Sequence, residues 1–216
     1  MSAGVADDSS TERSPLHDPD VRLMLEVQAG SAPAFEELVS RYQGRLLTVL
    51  EHLVGRRDQA EDLVQEVFLR VYRARKRYQP GARFSTWIYT IANNVASNAL
   101  RSRRRRREVD ATVGQDDSSG VKPLAEMAAA ASGLMPTRQL DKLEMREIVR
   151  LALDTLNERQ RMAVLLNKFE HMSYADIGET MELSPQAVKS LLSRARESLR
   201  ATLEPYLQQG KYPDLG

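Results

Sequence analysis

A chain of 216 residues has room for one large domain or two small ones, and 31 basic against 30 acidic residues leave a formal charge of +1, so bulk charge names no polyanionic partner. The absence of cysteine excludes disulfides and thiolate metal sites and is compatible with a reducing cytoplasm. An aromatic content of 6%, plentiful Leu, Ala, Arg and Glu and little β-branched alternation favour an all-α fold, and no apolar run approaches the roughly 18 residues that a membrane-spanning helix needs.

Residues 1–19 are acidic and Ser-rich, and read as a disordered N-terminal extension rather than a signal or transit peptide. Helical periodicity then holds over residues 20–107, where four helices fit. The first covers Asp20–Gln28 and stops at Gly30-Ser31, and the second covers Ala34–Leu53. The third, Gln59–Arg77, places Leu63, Val64, Val67, Phe68, Val71 and Tyr72 on one apolar stripe. On its other side Asp62, Gln65, Glu66 and Leu69 share a face, an acidic patch with one apolar residue that suits a protein partner as well as plain solvent.

After Pro80-Gly81 the fourth helix runs from Ser85 into the arginines at 101–107. Its apolar stripe is narrow (Ile88, Ile91, Ala92, Val95, Ala99), and Asn93, Asn94, Ser97 and Asn98 fill much of the rest. Asn and Ser each cost several tenths of a kcal/mol relative to Ala inside a helix, so a purely structural surface would more often carry Glu, Lys or Gln. Amides beside Trp87, Tyr89 and an arginine run suit nucleic acid: aromatics stack on bases, amides read their edges and arginines hold the backbone. The plainer alternative is a core tryptophan and a solvated basic tract.

Periodicity fails over residues 108–137, whose small, polar and acidic residues with Gly and Pro read as a flexible linker. It resumes over 138–208, before a tail at 209–216. A helix over Gln139–Leu156 comes first, and a second is capped by Asn157 with Gln160 three residues on. The next opens at Ser173-Tyr174-Ala175-Asp176, and the last has Ser184 as cap and Pro185 at its first position. The stretch SYADIGETMELSPQAVKSLLSRARESLR reads as a helix-turn-helix. Ala175 and Ile177 sit on its first helix, while Val188, Leu191, Leu192, Ala195 and Leu199 point inward from its second. Gln186, Lys189, Ser190, Ser193, Arg194 and Arg196 point outward, with the cations, small hydroxyls and guanidinium forks that a DNA major groove accepts. Glu182 stands where many such turns use Gly; a left-handed backbone there costs about 1–2 kcal/mol, unless the turn avoids that geometry.

Together these segments resemble the extracytoplasmic-function sigma factors of bacterial RNA polymerase. AEDLVQEVFLRVYRA resembles the family's polymerase-binding helix, RFSTWIYTIANNVASNALR its promoter-melting helix, and LNERQRMAVLLNKFEHMSYADIGETMELSPQAVKSLLSRARESLR its minus-thirty-five-binding domain. The resemblance implies two small helical domains on a flexible linker: 20–107 for polymerase binding and minus-ten recognition, 138–208 for the minus-thirty-five element. It further implies that Asp62, Gln65, Glu66 and Leu69 lie on the clamp helices of the polymerase's largest subunit, with the C-terminal domain at the flap. Ala74, Tyr78, Tyr89, Ile91 and Asn94 match the pocket for a flipped base of the non-template strand, with Asn98 and Arg101 on the same single-strand surface. Gln186, Lys189, Ser190, Ser193 and Arg194 match the minus-thirty-five readers, and Arg196 a backbone contact. Some relatives carry an aromatic at the position of Ser193 and a basic residue at that of Leu191, which implies a different promoter or more reliance on DNA shape.

Further implications are promoter DNA and core polymerase as partners, an anti-sigma factor as inhibitor, a role in stress response and a cytoplasmic location. No cofactor, small-molecule substrate or catalysis is expected, since the chain has no Gly-x-x-x-x-Gly-Lys phosphate loop and its histidines, His17, His52 and His171, are scattered. One rival reading is a stand-alone regulator, which would share the last helices but need an effector-sensing first domain; the other is a nucleic-acid-processing enzyme, for which the sequence offers no acid/base or metal constellation.

Overall fold

The computed structural model describes residues 17–113 and 148–209, with side chains placed for 17–106 and 148–204. Among the described residues all regular structure is helical. The predicted N-terminal extension, most of the linker, the start of the 139–156 helix and the tail lie outside them.

The N-terminal unit is built from four helices whose ends follow local chemistry. Helix α1 (Pro19–Ala29) is capped by Asp18, whose side chain accepts from the Asp20 amide, and ends at Gly30, left-handed at φ 105°. Helix α2 (Ala32–Val54) is capped by Ser31 and ends at Gly55 (φ 76°). These two glycines supply backbone geometry that a β-carbon would oppose. Helix α3 (Arg57–Ala74) tightens into a 3-10 turn at Arg75–Arg77. Helix α4 (Phe84–Val113) extends beyond the expected stop at residue 107. The second carboxylate oxygen of Asp18 accepts from the Phe84 amide at 3.2 Å, so one side chain caps both α1 and α4.

Met24, Leu38, Tyr42, Leu46, Leu50, Val67, Phe84 and Ile88 fill the space between these helices, each fully buried. Complete burial of such a side chain stabilises the fold by about 1.5–3 kcal/mol. Two expectations change here. Tyr72, placed on the inner stripe of α3 by its spacing, is 45% exposed: its ring lies 5.2 Å from that of Phe35 on α2, at the edge of the stripe, while Val64, Val67, Phe68 and Val71 are buried. Trp87 is half-buried, packed on Tyr78 with ring centroids 4.8 Å apart.

In the C-terminal unit residues 148–154 are helical, followed by α5 (Glu158–Lys168), α6 (Tyr174–Met181) and α7 (Pro185–Gln209). The capping boxes of α5 and α6 are both complete, Asn157 with Gln160 and Ser173 with Asp176. Ser184 accepts from the Ala187 amide at 3.2 Å and starts α7. Leu165, Leu166, Ile177, Val188, Leu192 and Ala195 form the core. Ala175 is exposed, and the inward face of α6 is made instead by Ile177, Gly178, Thr180 and Met181.

The two units pack against each other, α6 on α4 and α5 on α2. Arg45 of α2 is ion-paired with Glu170, whose side chain is only 2% exposed. Ser97 donates to the Glu158 carboxylate at 2.8 Å, and Arg161 donates to the Leu53 carbonyl at 3.4 Å.

Candidate nucleic-acid interface

The turn between α6 and α7 decides where α7 points. Glu182 takes the left-handed conformation (φ 55°, ψ 47°), so the turn does not avoid the strained geometry. Its amide and that of Leu183 both bond to the Gly178 carbonyl, the latter at 2.8 Å. The close approach falls on Gly178, where a β-carbon would lie 2.6 Å from the Leu183 carbonyl oxygen. Glycine is therefore required inside α6, four positions before the residue with positive φ.

Held in this way, α7 exposes all six of Gln186, Lys189, Ser190, Ser193, Arg194 and Arg196. Ser190 donates to the Gln186 carbonyl at 3.1 Å and Arg194 to the Ser190 carbonyl at 3.4 Å, which holds both against the helix. The guanidinium of Arg196 donates to the Tyr174 hydroxyl at 2.9 Å. Tyr174 was not among the expected site residues: it lies 22 positions away from Arg196, and only the folded turn brings them together.

Helix α4 presents a different picture. Asn94, Asn98 and Arg101 are exposed, while Ile91 and, at the end of α3, Ala74 are half-buried. Tyr78 (5% exposed) and Tyr89 (0%) are in the core, and their hydroxyls have no hydrogen-bond partner among the described residues. Burial pushes the Tyr78 phenol up to about 12, with Asp18 adding to the effect. Burial likewise holds the Tyr89 phenol far above its ordinary value, reinforced by the nearby Glu170 carboxylate. Both rings are neutral at any physiological pH. Of the five expected pocket residues only Asn94 is exposed, and the two tyrosines are covered.

A cleft of about 410 Å³ separates α4 from the C-terminal unit. Asn93, Asn94, Ser97 and Arg101 form one wall; Glu158, Arg159, Thr180, Met181 and Glu182 form the other. Beyond it Arg101, Arg104, Arg105 and Arg106 are exposed, and Arg103 donates to the Val54 carbonyl at 3.3 Å.

The outer face of α3 carries Asp62 and Gln65, both exposed, with Glu66 paired to Arg70 at 2.7 Å. Leu69 is 50% exposed, and Tyr72 extends this apolar patch with the Arg75 guanidinium 3.8 Å from its ring centroid. No group of three or more His, Cys, Asp or Glu able to hold a metal ion occurs among the described residues. No helix there is long and apolar enough to cross a membrane.

Comparison with known proteins covers both units. Residues 38–106 match the family Sigma-70 region 2, and residues 146–199 match Sigma-70, region 4. The RNA polymerase sigma-H factor of Pseudomonas aeruginosa is 33% identical over 89% of this chain and 97% of its own length. The ECF RNA polymerase sigma-E factor of Escherichia coli K12 is 33% identical over 88% of this chain and 97% of its own. Among solved structures, the sigma factor RpoE in complex with the anti-sigma factor NepR from Bartonella quintana aligns with a TM-score of 0.57, at 25% identity over 79% of this chain and 96% of that one.

Proposed function

The chain belongs to the extracytoplasmic-function sigma factors, which act in promoter-specific initiation of transcription, and from that premise we propose how its residues divide the work. The observation that carries the reading is that α7 exposes six groove-compatible side chains while α4 carries amides and arginines within the same chain. One helix suits duplex DNA and the other an unpaired strand.

In this reading the outer face of α3 (Asp62, Gln65, Glu66, Leu69, and Tyr72 beside them) docks on the clamp helices of core polymerase, and the C-terminal unit docks on the flap. Gln186, Lys189, Ser190, Ser193 and Arg194 meet the minus-thirty-five element, and Arg196, steadied by Tyr174, meets a phosphate. Ala74, Tyr78, Tyr89, Ile91 and Asn94 receive a base flipped from the non-template strand, and Asn98 and Arg101 hold its neighbours. Extruding a base costs a few kcal/mol, and stacking returns about 1–3 kcal/mol. Opening is therefore driven by binding, and the chain itself catalyses nothing and needs no cofactor. The domains are taken as 20–107 and 138–208, working in the cytoplasm. A Bartonella relative was solved with an anti-sigma factor, and we assign this chain an inhibitor of that kind.

Purified core polymerase supplemented with this chain tests the reading. The chain co-purifies with core and directs initiation at a shared promoter motif, found by sequencing the transcripts that its overexpression induces. A stand-alone regulator binds its duplex site without core and gains nothing from it, and that result rejects the assignment.

A further inference from the structure

The residues assigned above to the flipped base come from two elements. Ala74 and Tyr78 precede residues 79–83, and Tyr89, Ile91 and Asn94 follow them on α4. The 79–83 connection therefore sets how the two sides of the pocket stand to each other. Among the described residues its own hydrogen bonds are local: Gly81 donates to the Gln79 carbonyl at 2.9 Å, and the Arg83 carbonyl accepts from the Trp87 amide at 3.3 Å. What ties down its ends is α1. The side-chain amide of Gln28 donates to the Tyr78 carbonyl at 3.0 Å and to the Lys76 carbonyl at 3.4 Å, and the Lys76 ammonium donates back to the Gln28 carbonyl at 2.9 Å. At the other end Asp18 accepts from the Phe84 amide at 3.2 Å, while its second oxygen caps α1.

We propose that Gln28 and Asp18 are positioning residues for base choice: from α1 they hold both ends of the 79–83 connection, and through it they fix the spacing of the two sides of the pocket. The proposal rests on the assignment of that pocket to the flipped base, and neither Gln28 nor Asp18 is itself placed in it. A pocket discriminates between bases only while its walls keep their spacing, because a loosened wall readjusts around a wrong base and forgives the misfit. The chemistry of each clamp leaves no spare group. One amide nitrogen of Gln28 serves two carbonyls, which takes both of its hydrogens. Asp18 uses both carboxylate oxygens, one for each helix start, and a side-chain amide would offer only one.

The test uses core polymerase loaded with the full chain and a template library randomised across both elements of a promoter identified from the induced transcripts. Sequencing the products gives the base preference at every position. Gln28→Ala removes the first clamp. Asp18→Asn removes the second yet keeps α1 capped, since asparagine caps a helix about as well as aspartate. Each variant should weaken the preference for the best minus-ten base about threefold or more, and leave the minus-thirty-five preferences, read by α7, unchanged. Val49→Ala is the control for lost stability: it opens the core about two turns along α2 from Tyr42, whose ring meets Phe84, and should shift neither set of preferences. Minus-ten preferences equal to the parent's in both clamp variants, however far total output falls, overturn the proposal alone and leave the two residues a purely structural role. Equal relaxation by Val49→Ala overturns it too. A parent that initiates with no minus-ten preference removes the pocket assignment, and the proposal with it.

Discussion

Helices α4 and α7 are both long and both polar on the side expected to meet DNA, yet the fold treats them oppositely. All six expected reading residues of α7 are exposed. On α4 the exposed Asn94, Asn98 and Arg101 stand beside a covered Tyr89 and a cleft walled by Glu158 and Glu182. The difference lies in what sets each surface. The presentation of α7 follows from short-range chemistry: the Ser184 cap, Pro185 and a turn fixed by the Gly178 carbonyl. The covering of α4 follows from contacts between residues up to 94 positions apart, as between Thr180 and Thr86.

The turn is the most direct way to break the presented side. Gly178→Ala sets a β-carbon 2.6 Å from a backbone oxygen that no side-chain rotation can relieve. The C-terminal unit should lose about 1–3 kcal/mol, toward the upper end, seen as lost hydrogen-exchange protection of α7 amides while α2 keeps its own. Unchanged protection in α7 means that the turn does not hold it.

Removing charge from the presented face without touching the turn should come next in size. Lys189→Ala with Arg194→Ala is expected to lower promoter affinity of the polymerase complex by about 1–3 kcal/mol and to flatten its salt dependence. The fraction of bound complexes that react with permanganate should stay the same. A changed fraction with unchanged affinity would reassign α7 to opening rather than docking.

The same contrast explains what was legible in the sequence. Caps are local, so Asn157 with Gln160, Ser173 with Asp176, and Ser184 before Pro185 were all readable: the first two pairs form reciprocal bonds, and Ser184 accepts from the Ala187 amide. The outward residues of α7 follow from helical period plus a core stripe, and that too is local. Tyr72 was misplaced because period alone cannot say where a stripe ends: its ring meets Phe35 of α2 at the rim of the core and stays 45% exposed, while Phe68 and Val71 are buried. Thr86 and Thr180 gave no signal, since a threonine becomes a core residue only through the partner that covers it. Tyr174 was missed for the same reason.

On the covered side, Asn94→Ala should leave binding to the closed duplex unchanged and reduce strand opening by about 1 kcal/mol, roughly fivefold. The exposed amide lies inside α4, where alanine is the better helix former by several tenths of a kcal/mol, so thermal unfolding should move slightly up and not down. Equal bubble formation by variant and parent would remove Asn94 from the strand-binding surface.

The smallest effect belongs to Glu182, where the two regions meet. Its left-handed backbone costs about 1–2 kcal/mol for a residue with a β-carbon, while glycine gives back about 0.5–1 kcal/mol through the freedom it has unfolded. Glu182→Gly should therefore stabilise the C-terminal unit by about 0.5–1 kcal/mol. Glu182→Asn keeps a β-carbon yet tolerates the left-handed conformation better than glutamate, so it should stabilise the unit by less than Glu182→Gly does. Thermal unfolding of both variants checks this: melting of both variants equal to that of the parent would mean that the left-handed backbone at this position carries no strain.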